Sequence, residues 1–174
     1  GTNPKQITDV KDKSHSIPAW SPDGTLISFD NTDESFILDP AKDWNENNPQ
    51  KMPAPAGGRF FRIWDWSPDG RKLVGYSSPG ELNGSMVYDF YTKKFEKVGD
   101  LSAINYWLPD SRRIIYANDG KVFITDTETK KTRAIEFPND DFIRQARLSR
   151  DGKLLYFSVF NTESDIWLLD LAQN

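Results

Sequence analysis

Apolar residues along this chain come in short runs interleaved with polar ones, and they do not recur at the three- and four-residue spacing of an amphipathic helix. Residues 26–29, 73–76, 114–116 and 154–157 are rich in aliphatic and aromatic side chains, and each run follows a cluster of turn-forming residues. A second apolar run lies downstream of each, at 36–39, 86–89, 122–126 and 166–170, and all four close on an aspartate: Asp39, Asp89, Asp126 and Asp170. More polar stretches at 51–52, 95–98 and 132–135 then read as outer strands, whose free edges favour charge over bulk. The pattern predicts an all-β chain.

The turn clusters are copies of one another. Trp20-Ser21-Pro22-Asp23-Gly24 returns as Trp66-Ser67-Pro68-Asp69-Gly70, as Trp107-Leu108-Pro109-Asp110-Ser111 and as Leu148-Ser149-Arg150-Asp151-Gly152, at spacings of 46, 41 and 41 residues. Proline presets φ at the first central position, aspartate bonds the local backbone, and glycine supplies the positive φ of the hairpin. A repeat of about forty residues that holds four short strands is the content of one propeller blade. The chain is therefore predicted to be a single β-propeller domain over 1–174, with blades near 11–53, 54–99, 100–137 and 138–174. The last blade lacks a fourth strand, and residues 4–9 are the expected substitute that closes the ring. Three forms satisfy this arithmetic: a four-bladed ring, half of an eight-bladed ring made by two chains that exchange first strands, or part of a longer propeller.

The W-S-P-D-G motif resembles the WD40-like Pro-Asp repeats of TolB-type propellers, and Ile166-Trp167-Leu168-Leu169-Asp170-Leu171 looks like that family's third-strand ending. The resemblance covers essentially the whole chain. It departs at Leu148 and Arg150, at Leu108 and Ser111, and at Gly75, where the family usually places an aromatic. The resemblance implies a binding scaffold, as in TolB itself, in propellers attached to prolyl-oligopeptidase-type hydrolases, and in sensor regions fused to bacterial kinases or transcription regulators. It also implies a periplasmic or extracytoplasmic setting, with a cytoplasmic one left open.

Composition narrows the partners. The 174 residues suffice to bury a core unaided. Cysteine is absent, which removes disulfides, a thiol nucleophile and Cys-based zinc sites. A net charge of -4, with acids and bases interspersed, argues against nucleic acid and anionic membranes as partners. No apolar stretch approaches the roughly 20 residues that cross a bilayer, so direct membrane insertion is not expected.

Candidate chemistry is sparse. His15 is the only histidine and Gly-x-Ser-x-Gly is absent, so neither a serine-hydrolase triad nor a histidine-rich metal site can be assembled; no catalytic residue, metal or cofactor is expected. Asp140 and Asp141 read as solvated loop acids. Asp23, Asp69, Asp110 and Asp151 read as turn formers, not as a metal ring. Trp20, Trp66 and Trp107 share one repeat position and read as blade core.

Binding is expected at the mouth of the central channel, near the starts of the innermost strands. Four residues before the repeat position stand Ser16, Arg62, Ala103 and Arg144; two before it stand Pro18, Trp64, Asn105 and Ala146. Arg62 and Arg144, opposed across a four-bladed ring beside Trp64 and Asn105, would hold a carboxylate-bearing ligand or a peptide terminus. The competing reading pairs the arginines with nearby acids such as Asp65. A second surface is the polar insertion 43–48, where Trp44 either anchors a protein partner or folds back on its own blade. The chain is thus read as a non-catalytic module for protein or peptide recognition, the sensor region of a larger bacterial protein. The alternatives are an accessory propeller of a prolyl-oligopeptidase-type hydrolase and a self-assembling half-propeller that forms a homodimer.

Overall fold

A computed structural model describes residues 4–8, 16–31, 34–42, 49–78, 83–100, 103–137 and 142–161. Among them there is no helix, in keeping with the alternating pattern. The first sheet is formed by Ser16–Trp20 (β1), Ile27–Asp30 (β2), Ser35–Leu38 (β3) and Gln50–Lys51 (β4), each antiparallel to the next. The second follows with Phe60–Trp66 (β5), Lys72–Ser78 (β6), Gly84–Asp89 (β7) and Lys94–Gly99 (β8). The third repeats the meander with Asn105–Trp107 (β9), Arg113–Asn118 (β10), Lys121–Asp126 (β11) and Thr132–Ile135 (β12). Ile143–Leu148 (β13) and Leu155–Val159 (β14) begin a fourth sheet, and the strand expected at 166–170 lies outside the described residues.

Successive sheets stack face to face as the blades of an arc. β1, β5 and β9 lie against one another in turn, and β13 lies against β10 and β11. Apolar side chains fill each junction: Ile37 and Met52 of the first blade meet Phe61, Ile63, Trp66 and Leu73 of the second. Val74, Val87 and Val98 then receive Trp107 and Ile114 of the third, while Ile115, Val122 and Ile124 pack with Ile143 and Ala146 of the fourth.

Two features depart from the regular repeat. Residues 4–8 form no strand, and Ile7 packs on Ile27, Phe29 and Leu38 of the first blade. Residues 4–8 therefore lie on the leading face of blade one, and the strand at 166–170 that residues 4–9 were expected to pair with lies outside the described residues. That face is apolar and no sheet precedes it among the described residues, so burying Ile7 there removes apolar area from water.

The second departure is a β-bulge in three of the first strands, between Ser16 and Ala19, between Ile63 and Asp65, and between Ile143 and Gln145. A bulge adds one residue and reverses the in-out alternation beyond it. In β5 the extra residue is Trp64 and in β13 it is Arg144. Gly75 stands opposite Ile63 at the bulge of β5, where a Cβ would come within 2.0 Å of the Arg62 carbonyl oxygen. That approach explains why this copy of the repeat has no aromatic there.

Candidate functional site

At one end of the arc sit the four repeat turns, and their polar groups are consumed locally. Ser21 Oγ donates to Asp23 at 2.6 Å and accepts the Leu26 amide at 2.9 Å, and Asp23 also accepts the Thr25 amide at 3.0 Å. Ser67 with Asp69, and Ser149 with Asp151, reproduce the 2.6 Å bond, and Asp110 accepts the amides of Arg112 and Arg113 at 3.0 and 2.9 Å. The Ser21 hydroxyl, followed by the bonds from Thr25, holds the Asp23 carboxyl below its ordinary range, and Ser149 followed by the Lys153 amide does the same for Asp151. In the third turn Ser111 takes the glycine's place with φ of 54°. Each turn aspartate is thus held within its own hairpin, and among the described residues no group of three or more acids or histidines is placed to hold a metal.

The turns also touch one another. Pro22 lies over Gly70, the Asp69 amide donates to Ser111 Oγ at 3.0 Å, Pro109 lies over Gly152, and Arg150 reaches the Pro22 carbonyl at 3.4 Å. A cavity of about 400 Å³ lies between the first, second and fourth turns, lined among others by Pro22, Asp23, Trp66, Asp69 and Arg150.

The residues nominated from sequence occupy separate environments. Arg62 Nε lies 2.7 Å from Oδ2 of Asp30, which is buried in the first blade. An acid does pair with Arg62, and it is Asp30 and not Asp65. Arg144 is exposed and stacks its guanidinium 4.4 Å above the Phe160 ring. Trp64 is buried at the bulge of β5. Asn105 is fully buried, and its amide nitrogen donates to Ser85 Oγ at 2.9 Å and to the Ala103 carbonyl at 2.8 Å. Trp44, His15, Asp140 and Asp141 lie outside the described residues.

A different set does converge. Asp65, Tyr106 and Arg147 each stand one residue before the repeat position of blades two, three and four. Asp65 Oδ2 accepts the backbone N–H of Trp107 at 2.9 Å, Arg147 Nη2 lies 3.9 Å from Asp65 Oδ1, and the Arg147 guanidinium sits 4.6 Å above the Tyr106 ring. Burial pushes the Asp65 carboxyl up to about 6, against the Trp107 amide and the Arg147 charge, which pull it down. Burial also raises the Tyr106 phenol, with Arg147 lowering it and Asp65 raising it. Arg147 itself keeps 62% of its side chain open and lines a pocket of about 190 Å³ with Tyr106, Gln145, Tyr156 and Ser158.

The converging residues stand one position before the repeat residue, next to the positions two and four before it that the sequence nominated. The available signal was the repeat register itself, which puts an acid, a phenol and a guanidinium at one site on consecutive blades. An open guanidinium backed by an aromatic ring presents a planar fork to carboxylates.

No family model matches the chain. It is 24% identical over 155 residues to a probable dipeptidyl-aminopeptidase B of Talaromyces marneffei, a match that takes in 85% of this chain and 15% of that protein. Among solved structures, it resembles a TolB of Agrobacterium tumefaciens with a TM-score of 0.70 and 18% identity, over 84% of this chain and 54% of the other. TolB of Acinetobacter baumannii gives 0.70 and 20%, over 90% and 40% respectively. The β-propeller domain of Myceliophteria thermophila Cps50 (Swd1) gives 0.57 and 12%, over 83% and 48%. At these identities the likeness establishes the fold alone, a β-propeller like those of the TolB structures, and the chain spans about half or less of the propeller chains it matches.

Proposed function

We propose that the chain is a non-catalytic recognition module that binds a protein or peptide partner at the inner rim of its third and fourth blades. The observation that carries this reading is the Arg147 guanidinium, open to solvent, stacked on Tyr106 and within 3.9 Å of the Asp65 carboxylate. Arg144, exposed on the same strand, extends the cationic rim. A peptide terminus or acidic side chain is the group this fork fits best, because a charge-assisted pair to a half-exposed arginine keeps its strength without the full cost of burying both ions. Propeller neighbours such as TolB and Cps50 support a scaffold role for a partner protein, and a sensor region within a larger bacterial protein is the setting in which we place it.

Panning a phage-displayed library of random peptides on the purified chain tests this. Enriched peptides should carry an acidic residue or a free C-terminal carboxylate, and their binding, read by fluorescence anisotropy, should weaken about tenfold or more in Arg147→Ala, the scale of one lost charge-assisted bond. Enrichment of peptides that bind Arg147→Ala as well as the parent chain would overturn the site.

One observation favours a second reading. The similarity to a dipeptidyl-aminopeptidase fits an accessory propeller that works beside a hydrolase. Release of p-nitroaniline from dipeptidyl anilides by the purified chain would contradict the non-catalytic reading. Binding of such peptides without cleavage would favour the accessory role.

A further inference from the structure

The face that blade two turns towards blade three is only partly covered. Its inner part, Val74 and Val87, packs with Trp107 and Ile114 of the third blade. Beyond them, Lys72, Asp89 and Lys94 form one cross-strand row, each directly opposite the next on β6, β7 and β8. Directly opposed residues of an antiparallel sheet share a face, so both lysines stand on the same side as Val87. A cleft of about 350 Å³ lies over this row, bounded on the other side by Thr127 and Glu128 in the turn after β11.

The cleft is built from fixed parts. Thr127 donates its backbone N–H and its hydroxyl to the Arg112 carbonyl at 3.1 and 2.7 Å, and Lys130 of the same turn reaches Glu96 of blade two at 3.0 Å. The acids around the cleft already have partners. Asp89 accepts Arg71 Nε at 3.1 Å and the amides of Tyr91 and Thr92 at 2.8 and 2.9 Å. Glu96 is paired with Lys130, and Glu128 lies 3.4 Å from Arg112, which also holds Asp126. The two lysines differ: among the described residues neither Lys72 nor Lys94 forms a salt bridge, and Lys72 Nζ lies 5.9 Å from the Trp107 ring. Trp107 adds a further donor to this junction. Trp66 gives its indole N–H to Ser28, but the same position of blade two is Val74, and the buried Trp107 N–H has no acceptor among the described residues.

We propose that this cleft binds a phosphate group between the ammonium groups of Lys72 and Lys94, beside the Thr92 hydroxyl. The lysines stand two strand spacings apart, about 10 Å, a gap that two such side chains close onto one group. An ammonium is a compact point charge without the planar fork of arginine, so a pair of them matches a tetrahedral dianion better than a flat carboxylate, which would leave one charge unanswered. The site lies between blades two and three, apart from the Arg147 rim of blade four. Free phosphate and the phosphoryl group of a small ester present the same chemistry to it.

Nitrogen–proton correlation spectra of the chain, titrated with inorganic phosphate and separately with O-phosphoserine at constant ionic strength, test the site. The amides of Thr92 and Lys94 and the Trp107 indole N–H should shift and saturate, and the ligand that saturates them at the lower concentration identifies the site as one for the free anion or for an ester. Lys94 is exposed, so Lys94→Gln should stay folded and weaken binding about tenfold or more, the scale of one charge-assisted bond. Lys93→Gln removes the same charge from the adjacent residue, whose ammonium lies over Phe90, and should bind as the parent does. Shifts that fail to saturate with either ligand, or equal binding by Lys94→Gln and the parent, would overturn the proposal.

Discussion

The indole of Trp66 donates its N–H to Ser28 Oγ across the boundary between the first and second blades, at 2.9 Å and with both residues buried. A buried donor without a partner costs about 1–3 kcal/mol, so the serine does more here than fill space. Ser28→Ala should lower unfolding free energy by about 1–2 kcal/mol, and Trp66→Ala by about 3–5 kcal/mol, since the second also leaves a cavity. Trp20 occupies the same repeat position but lies open, so Trp20→Ala should stay within about 0.5 kcal/mol of the parent. Urea unfolding at low protein concentration measures all three. A Trp20→Ala loss as large as that of Trp66→Ala would mean that Trp20 is packed as Trp66 is.

The Asp65 carboxyl gives the fold a pH dependence of unusual sign. Its folded-state value, pushed up to about 6 by burial, lies above the ordinary 3.8, so the folded chain binds the proton more tightly than the unfolded one. Stability from this group is then fully present below about 4, falls as pH rises towards 6 and is constant above that. Relative to Asp65→Asn, the parent should lose about 2 kcal/mol between pH 4 and pH 7. The carbon chemical shift of the Asp65 carboxyl should titrate near 6 in the parent and higher in Arg147→Ala, where the lowering charge is gone. A pH-independent difference between parent and Asp65→Asn would show that the carboxyl is not perturbed.

Much of this architecture is legible in the chain because each local rule agrees with the next. The Ser-Pro-Asp-Gly copies form the hairpins that turn chemistry predicts, with Ser149 bonding Asp151 as Ser21 bonds Asp23. The aspartates that end the third strands are explained in the same way: Asp89 accepts the amides of Tyr91 and Thr92, and Asp126 those of Glu128 and Thr129. The site was harder to read. A bulge such as that at Trp64 depends on how β5 meets Gly75 and its neighbours, and the contacts of Asp65 with Trp107 and Arg147 join residues far apart in sequence that meet only when blades stack. Pairing partners were equally hidden, because Asp30 lies 32 residues from Arg62 in sequence and meets it only when two blades stack.

Gly75 gives that bulge a direct test. A methyl group at this position would meet the Arg62 carbonyl at 2.0 Å and Phe61 Cε2 at 2.8 Å, and the first of these is backbone that cannot rotate away. Gly75→Ala should therefore cost about 1–3 kcal/mol or more, although alanine is otherwise the gentlest replacement for glycine in a strand. Gly57→Ala is the control for steric crowding, since nothing lies within 4 Å of its Cβ direction and only its φ of 74° is strained. Thermal unfolding should rank Gly75→Ala as the more damaging, and backbone amide shifts should move along β5. Unchanged amide shifts at Ile63 and Asp65 would mean that the two strands are farther apart than described.

The turn serines allow the role of burial to be separated from that of hydrogen bonding. Ser67 Oγ donates to Asp69 at 2.6 Å and accepts the Lys72 amide at 2.7 Å, while Ser149 Oγ makes the same pair of bonds to Asp151 at 2.6 Å and from Leu154 at 2.9 Å. Ser67 is fully buried, whereas Ser149 is half-buried beside the open fourth blade. Removing the hydroxyl strands one backbone N–H in either case, but water can satisfy the Leu154 amide and reaches Lys72 less readily. Ser67→Ala should cost about 1–2 kcal/mol and Ser149→Ala about half as much or less. Hydrogen exchange at the two amides reads the effect directly: Lys72 should lose protection in the first variant while the rest of β6 keeps it. Equal losses from the two substitutions would mean that the bonds themselves, and not their shielding by the neighbouring blade, set the strength of the turn.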